Sequence, residues 1–262
     1  MVFWAPIQML SRLFSVTSWL IAAYLFGLTV AYAQTQQSET LRIGVASNFS
    51  QTATELIQVF ERQSSIDTQL SIGSTGKITS QIEFGLQLDV FLAADSKRPA
   101  YLIDQGFVSN NKSITYAIGR LVLWSPRADL ELNQESLIKP SLHHLALANP
   151  KLAPFGRAAH ESLKSLNAWS FLKNKIVYGE NVSQALQFAL SGNAELALIA
   201  QSQFIALGRG SAWLVPANLH TPIIQNAVQL RASSQVSLFM QFLVSDTARA
   251  IIAKYGYELP HG

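Results

Sequence analysis

Val45-Ala46-Ser47-Asn48-Phe49 and Ile72-Gly73-Ser74-Thr75-Gly76-Lys77 place hydroxyls, an amide and glycines where apolar, strand-like runs give way to helix-like ones. A helix that starts at such a turn leaves backbone N–H groups unpaired and carries a partial positive charge at that end. Two of these starts facing one gap make an anion site. Lys77 reads as a solvated helix residue rather than a ligand. The second segment looks superficially like a phosphate loop, but the four-residue spacing between glycines that such a loop needs is missing.

Other chemistry is hard to find. The five histidines, His143, His144, His160, His220 and His261, show no H-E-x-x-H or comparable metal spacing. There is no G-x-S-x-G elbow and no cysteine nucleophile, so no catalytic constellation stands out and no cofactor is expected. A net charge of +2 beyond residue 33, without a Lys/Arg cluster, does not describe a nucleic-acid binder.

The elements that must hold the two turns follow a regular order. Leu41 to Ala46 reads as a buried strand, and Gln51 to Arg62 has apolar residues at helical spacing. Asp67 to Ile72, Lys77 to Phe84, Asp89 to Ala94 and Lys97 to Gln105 continue the alternation, with Gly85 and Gly106 as helix stops. This β-α-β-α-β-α order predicts a parallel sheet covered by helices. Tyr116 to Trp124 is an extended apolar run, and Leu130 to Pro140 is polar and irregular or helical. The alternation restarts with strands at Leu145–Ala148, Lys175–Tyr178 and Glu195–Ala200 and helices at Gly156–Leu166 and Val182–Leu190. Further strands are expected at Trp213–Val215 and Ala227–Leu230, then helices at Ser234–Leu243 and Asp246–Lys254. Two β/α blocks predict two lobes with a cleft between them. Ligands in open α/β sheets sit beyond the carboxyl ends of strands, so the turns after Ala46, Ile72, Ala148 and Tyr178 matter most.

Residues 1–33 differ from the rest. Arg12 is their one charge, Leu13 to Val30 is apolar, and Ala31-Tyr32-Ala33 fits a small-x-small cleavage site. The pattern is that of a secretory signal peptide. The run is nearly long enough for a membrane anchor, but the cleavage site and the polar residues from Gln34 onward favour removal. The absence of cysteine rules out disulfides and a lipid-anchored N-terminal cysteine, which points to a free periplasmic protein stabilised by core packing.

The whole stretch beyond the signal resembles the periplasmic molybdate-binding proteins of ABC transporters. The resemblance rests on five segments in order: Ala46-Ser47-Asn48-Phe49; Gly73-Ser74-Thr75-Gly76-Lys77; Asp89-Val90-Phe91-Leu92-Ala93-Ala94-Asp95; Ala148-Asn149-Pro150-Lys151-Leu152-Ala153-Pro154-Phe155-Gly156; and Gly179-Glu180-Asn181-Val182. It implies an α/β, two-lobed type II periplasmic-binding-protein fold that clamps molybdate or tungstate and hands it to a membrane permease. The ligand positions it implies are Ser47 and Asn48, Thr75, and the backbone N–H groups of Phe155 and Val182. Many relatives carry a donating tyrosine where this chain has Ala200, and the pattern here resembles a subgroup that uses the asparagine, Asn48, instead. Glu180 reads as a structural hydrogen-bond acceptor, since a carboxylate would repel the anion.

The expected layout is a signal peptide at 1–33, lobe one at 34–115 plus 226–262, and lobe two at 116–225. Tyr116 to Gly119 and Val215 to Gln225 are the expected crossings. The expected protein is a monomer with no nucleic-acid partner. A receptor for sulfate or phosphate is the alternative. A secreted hydrolase or the effector-binding half of a transcription regulator fits less well, for want of a catalytic set or a DNA-binding segment.

Overall fold

The structure is a computed structural model and describes residues 40–260; the signal peptide expected at 1–33 lies outside the described residues. Two five-stranded sheets dominate it. The first contains β1 (Leu41–Ala46), β2 (Thr68–Gly73), β3 (Val90–Leu92), β4 (Ser113–Gly119) and β10 (Ile223–Gln229) in the order β2-β1-β3-β10-β4. The second contains β5 (Leu121–Ser125), β6 (Leu145–Ala148), β7 (Ile176–Gly179), β8 (Leu196–Ala200) and β9 (Ser211–Leu214) in the order β7-β6-β8-β5-β9. This is the two-lobed α/β architecture expected from the alternation of elements.

The two sheets share one plan. In each, three strands run parallel, and the fourth in spatial order is antiparallel to its neighbours: β10 against β3 and β4, and β5 against β8 and β9. Both antiparallel strands begin just after the chain passes from one sheet to the other. The first passage is the single residue Arg120 between β4 and β5, and the second runs from Val215 to Pro222. The sheets therefore divide at places that differ from the expected boundaries. Residues 116–119 and 223–225, expected in lobe two, hydrogen-bond within the first sheet, because the apolar run Tyr116–Trp124 is two strands belonging to two sheets.

Helices cover the sheet faces. Along α1 (Ser50–Ser64), Ala53, Leu56, Ile57 and Phe60 are buried, the one-sided stripe that a core-facing helix requires. They share a cluster with Val236, Phe239 and Leu243 of α8 (Ser234–Leu243) and Ile251 and Ile252 of α9 (Asp246–Lys254), on one face of the first sheet. Ile78 and Ile82 of α2 (Thr75–Glu83) and Leu102 of α3 (Lys97–Asp104) cover the other face. The second sheet packs against α4 (Pro154–Ser165), α5 (Trp169–Leu172) and α6 (Val182–Leu190), with α7 (Gln201–Leu207) after β8. The short helices α5 and α7 had no expectation in the sequence. Ala46, at the end of β1, and Ala94, two residues past β3, pack into the core of the second lobe, so apolar contact bridges the two sheets.

Candidate functional site

The four turns singled out in the sequence come together. The turn after β1 meets the start of α6, where Ser183 Oγ donates to the Ser47 carbonyl at 3.2 Å. The turn after β2 meets the one after β6, where Gly76 N–H donates to Leu152 O at 2.9 Å. It also meets the turn after β7 through Lys77 Nζ and Glu180 Oε1, 2.7 Å apart. Three links thus tie the two turns of one lobe to the two turns of the other.

Each turn leaves donors unspent. Ser47 opens a short 3₁₀ turn, Ser47–Phe49, whose three residues are buried. At the next turn, Ser74 caps α2 by accepting from Lys77 N, so Thr75 occupies the first helical position. Thr75 Oγ1 accepts from Ala94 N at 3.2 Å, which leaves its own proton to donate. Pro154 starts α4 and puts Phe155 in the first turn, where a helical N–H has no partner within the helix. Asn181 caps α6 by accepting from Gln184 N, leaving Val182 at the first helical position. No carboxylate belongs to this donor set. Ser47, Asn48, Thr75, Phe155 and Val182 are all buried.

Two glycines set the shape around Phe155. A Cβ on Gly156 would lie 2.2 Å from Ala148 O and 2.9 Å from Asn149 C, so only glycine lets α4 start this close to the end of β6. A Cβ on Gly119 would lie 2.8 Å from Phe155 Cζ and 3.3 Å from Gln225 Nε2. The Phe155 ring therefore rests on the crossing between the lobes, while its main chain belongs to the site.

The charges at the rim are paired across the cleft. Lys77 and Glu180, read from the sequence as a solvated lysine and a structural acceptor, neutralise each other. Asp95 holds Arg98 at 2.6 Å and Arg157 at 3.4 Å, and Arg98 also donates to Lys151 O. The donor set itself is neutral, although the Asp95 cluster beside it, with two arginines on one carboxylate, keeps one positive charge over.

Behind Ser47 and Asn48 lies a polar network that the sequence reading missed. Asn48 Nδ2 donates to Gln225 Oε1 at 2.8 Å and to Tyr257 Oη at 3.1 Å. The Asn48 carbonyl accepts from Ser202 Oγ at 2.8 Å and Tyr257 Oη at 2.9 Å. Gln203 takes the N–H of Ala200 and donates to Ser183 Oγ. The Ala200 N–H is thus tied through Gln203 to Ser183 at the start of α6. Phe49 packs edge-on against both Tyr116 and Tyr257, with ring centroids at 4.9 and 5.2 Å. Burial pushes the Tyr257 phenol up to about 12 and the Tyr116 phenol well above its usual value, so both stay protonated donors at neutral pH. Local signals for this network were thin: Ser183 adjoins Val182, and Gln203 sits at the third position after Ala200, but Gln225 and Tyr257 are remote in sequence.

Two lobes joined by two crossings, with donor turns converging between them, define the architecture of a two-lobed solute-binding protein. The family model for bacterial extracellular solute-binding proteins matches residues 41–258, and the chain belongs to that family. More particularly, it is homologous to proteins named molybdate-binding protein ModA. It is 37% identical to that of Rhodobacter capsulatus, over 81% of this chain and 86% of the relative, and 36% identical to that of Azotobacter vinelandii, over 92% and 97%. The solved structure of the Azotobacter vinelandii periplasmic molybdate-binding protein superposes with a TM-score of 0.81 at 36% identity, covering 84% of this chain and 100% of that one.

Proposed function

We propose that this protein is a periplasmic receptor that captures molybdate, and tungstate with it, and delivers it to the membrane permease of an ABC transporter. The observation that carries the reading is the meeting of four helix-starting turns whose free donors belong to a buried set without carboxylates. In this reading Ser47 and Thr75 give hydroxyl protons, Phe155 and Val182 give backbone N–H groups, and Asn48 gives its amide. Molybdate is a dianion with no proton to offer, so a site of donors alone suits it. Burying a dianion is costly unless every oxygen is compensated, and convergent N–H and O–H groups at helix starts do so without a countercharge. Homology to relatives named for molybdate supports the same ligand. The two lobes act as a clamp: contacts on both favour the closed form, which the permease then recognises.

The protein works as a transport component rather than as an enzyme. It needs no cofactor, acts as a monomer and has no nucleic-acid partner. The signal peptide at residues 1–33 is removed on export. Sulfate has the same charge and shape as molybdate, so rejection of sulfate rests mainly on the size of the closed cavity. A calorimetric titration with molybdate, tungstate, sulfate and phosphate tests the proposal. Tight molybdate and tungstate binding with weak sulfate binding is expected. Sulfate binding as tight as molybdate would return the reading to a general oxyanion receptor.

A further inference from the structure

If the Asn48 amide is to serve an anion, its orientation matters, because an amide has two ends of opposite polarity. The oxygen and nitrogen of an amide are nearly equal in size, and the surrounding hydrogen bonds decide which lies where. With Asn48 Nδ2 directed at Gln225 Oε1 and Tyr257 Oη, Gln225 Nε2 is buried with no acceptor, although Gln225 is fully buried. In that arrangement Asn48 Oδ1 accepts no hydrogen bond from the described residues. A carbonyl oxygen has the wrong polarity for an anion.

Turning both amides over gives both donors of Gln225 an acceptor and reverses the polarity that Asn48 presents, at the cost of leaving Gln225 Oε1 unpaired in the place of Nε2. Gln225 Nε2 then donates to Asn48 Oδ1 across the same 2.8 Å, and to Tyr116 Oη across 3.3 Å. Tyr116 keeps its proton for Ala93 O, also at 3.3 Å. Tyr257 Oη donates to Asn48 Oδ1 across 3.1 Å, while Ser202 keeps its bond to the Asn48 carbonyl. Both protons of Gln225 find acceptors, and the two N–H protons of Asn48 are freed from Gln225 and Tyr257. The backbone is built for this meeting. The register of β4 against β10 slips between Gln225 and Asn226, so that Tyr116 is the extra residue of a bulge. Bulges re-aim side chains beside functional sites, and this one brings Tyr116 and Gln225 together.

We propose that Gln225 is a positioning residue: by donating to Asn48 Oδ1 it fixes the Asn48 amide with its N–H groups toward the oxyanion. The inference rests on the molybdate reading above. Glutamine suits the position because it supplies a neutral donor. Methionine is similar in size but leaves either amide end free to face the anion.

The test is a double-mutant cycle read by molybdate titration, using the mature protein, Gln225→Met, Asn48→Ala and the double variant, each also melted thermally. Gln225→Met is expected to weaken molybdate binding by about 10- to 100-fold, the value of one charge-assisted donor. In the Asn48→Ala background the same substitution should change affinity by less than about 2-fold, because nothing is left to orient. In amide NMR spectra, the side-chain NH₂ pair of Asn48 should shift on adding molybdate to the natural protein and not to Gln225→Met. If Gln225→Met melts too low to titrate, Tyr116→Phe removes the other acceptor of Gln225 and should give a smaller loss that also vanishes without Asn48. Affinity unchanged in Gln225→Met, or a loss that adds in full to that of Asn48→Ala, overturns the inference while leaving the receptor reading intact. A natural protein that ignores molybdate overturns both.

Discussion

Gly156→Ala tests whether the Phe155 N–H is a ligand. The added Cβ would fall 2.2 Å from Ala148 O and 2.7 Å from Ala148 C, both backbone atoms at the end of a central strand. Neither can rotate away, so the first turn of α4 must retreat by about 1 Å to reach ordinary contact. A donor drawn back that far from an oxygen no longer makes a hydrogen bond. Loss of one bond to a charged acceptor is worth about 1.5–3 kcal/mol, or roughly 10- to 150-fold in affinity. Overpacking should also cost about 1–3 kcal/mol of stability, a fall in Tm of several degrees. The assay is molybdate titration beside thermal melting, with Ile252→Val as control. That change, in a helix packed on the first sheet, costs about 0.5–1.5 kcal/mol and should leave affinity untouched. A lowered Tm with natural affinity in Gly156→Ala would refute the role given to Phe155.

Three further outcomes follow from the same site. Ser47→Ala with Asn48→Ala should weaken molybdate binding by a few kcal/mol, about 1–3 for each buried donor lost; unaltered titration would remove the first turn from the site. Lys77→Gln and Glu180→Gln should act in opposite directions, the first weakening and the second strengthening binding, because each leaves its partner's charge at the rim. The pair is half exposed, so each effect should stay below about 1 kcal/mol and shrink in high salt, and stopped-flow rates at two ionic strengths would show it. Alkaline unfolding should report on Tyr257. Its folded phenol is pushed up to about 12 from an ordinary value of 10.0, so its contribution is constant below the ordinary value and is lost as pH rises from there toward the folded one. Tyr257→Phe should flatten that part of the Tm profile, and an unchanged slope would place the titration elsewhere.

Local pattern carried much of this molecule. The turns after β1, β2, β6 and β7 were legible because each combines an apolar strand with small or capping residues at the start of an amphipathic helix. Those signals are contained in fewer than about ten residues each, within the reach of periodicity. The lobe boundaries were harder. Tyr116 to Trp124 is one apolar run, and only pairing partners far along the chain reveal that Gly119 ends one strand and Leu121 begins another in a different sheet. The network behind Asn48 was invisible for the same reason. Gln225 and Tyr257 lie 177 and 209 residues from the side chain they touch, and nothing local distinguishes them from other buried polar residues. Lys77 and Glu180 were read as single residues, and their meaning lies in the pairing.

The bonds that span the cleft belong to the protein itself: Gly76 to Leu152, Ser183 to Ser47, Ser202 to Asn48, and the alanines of one lobe in the core of the other. Parting the lobes would break all of these together, so the protein's own cross-cleft bonds, and not cargo alone, help set how readily the cleft opens.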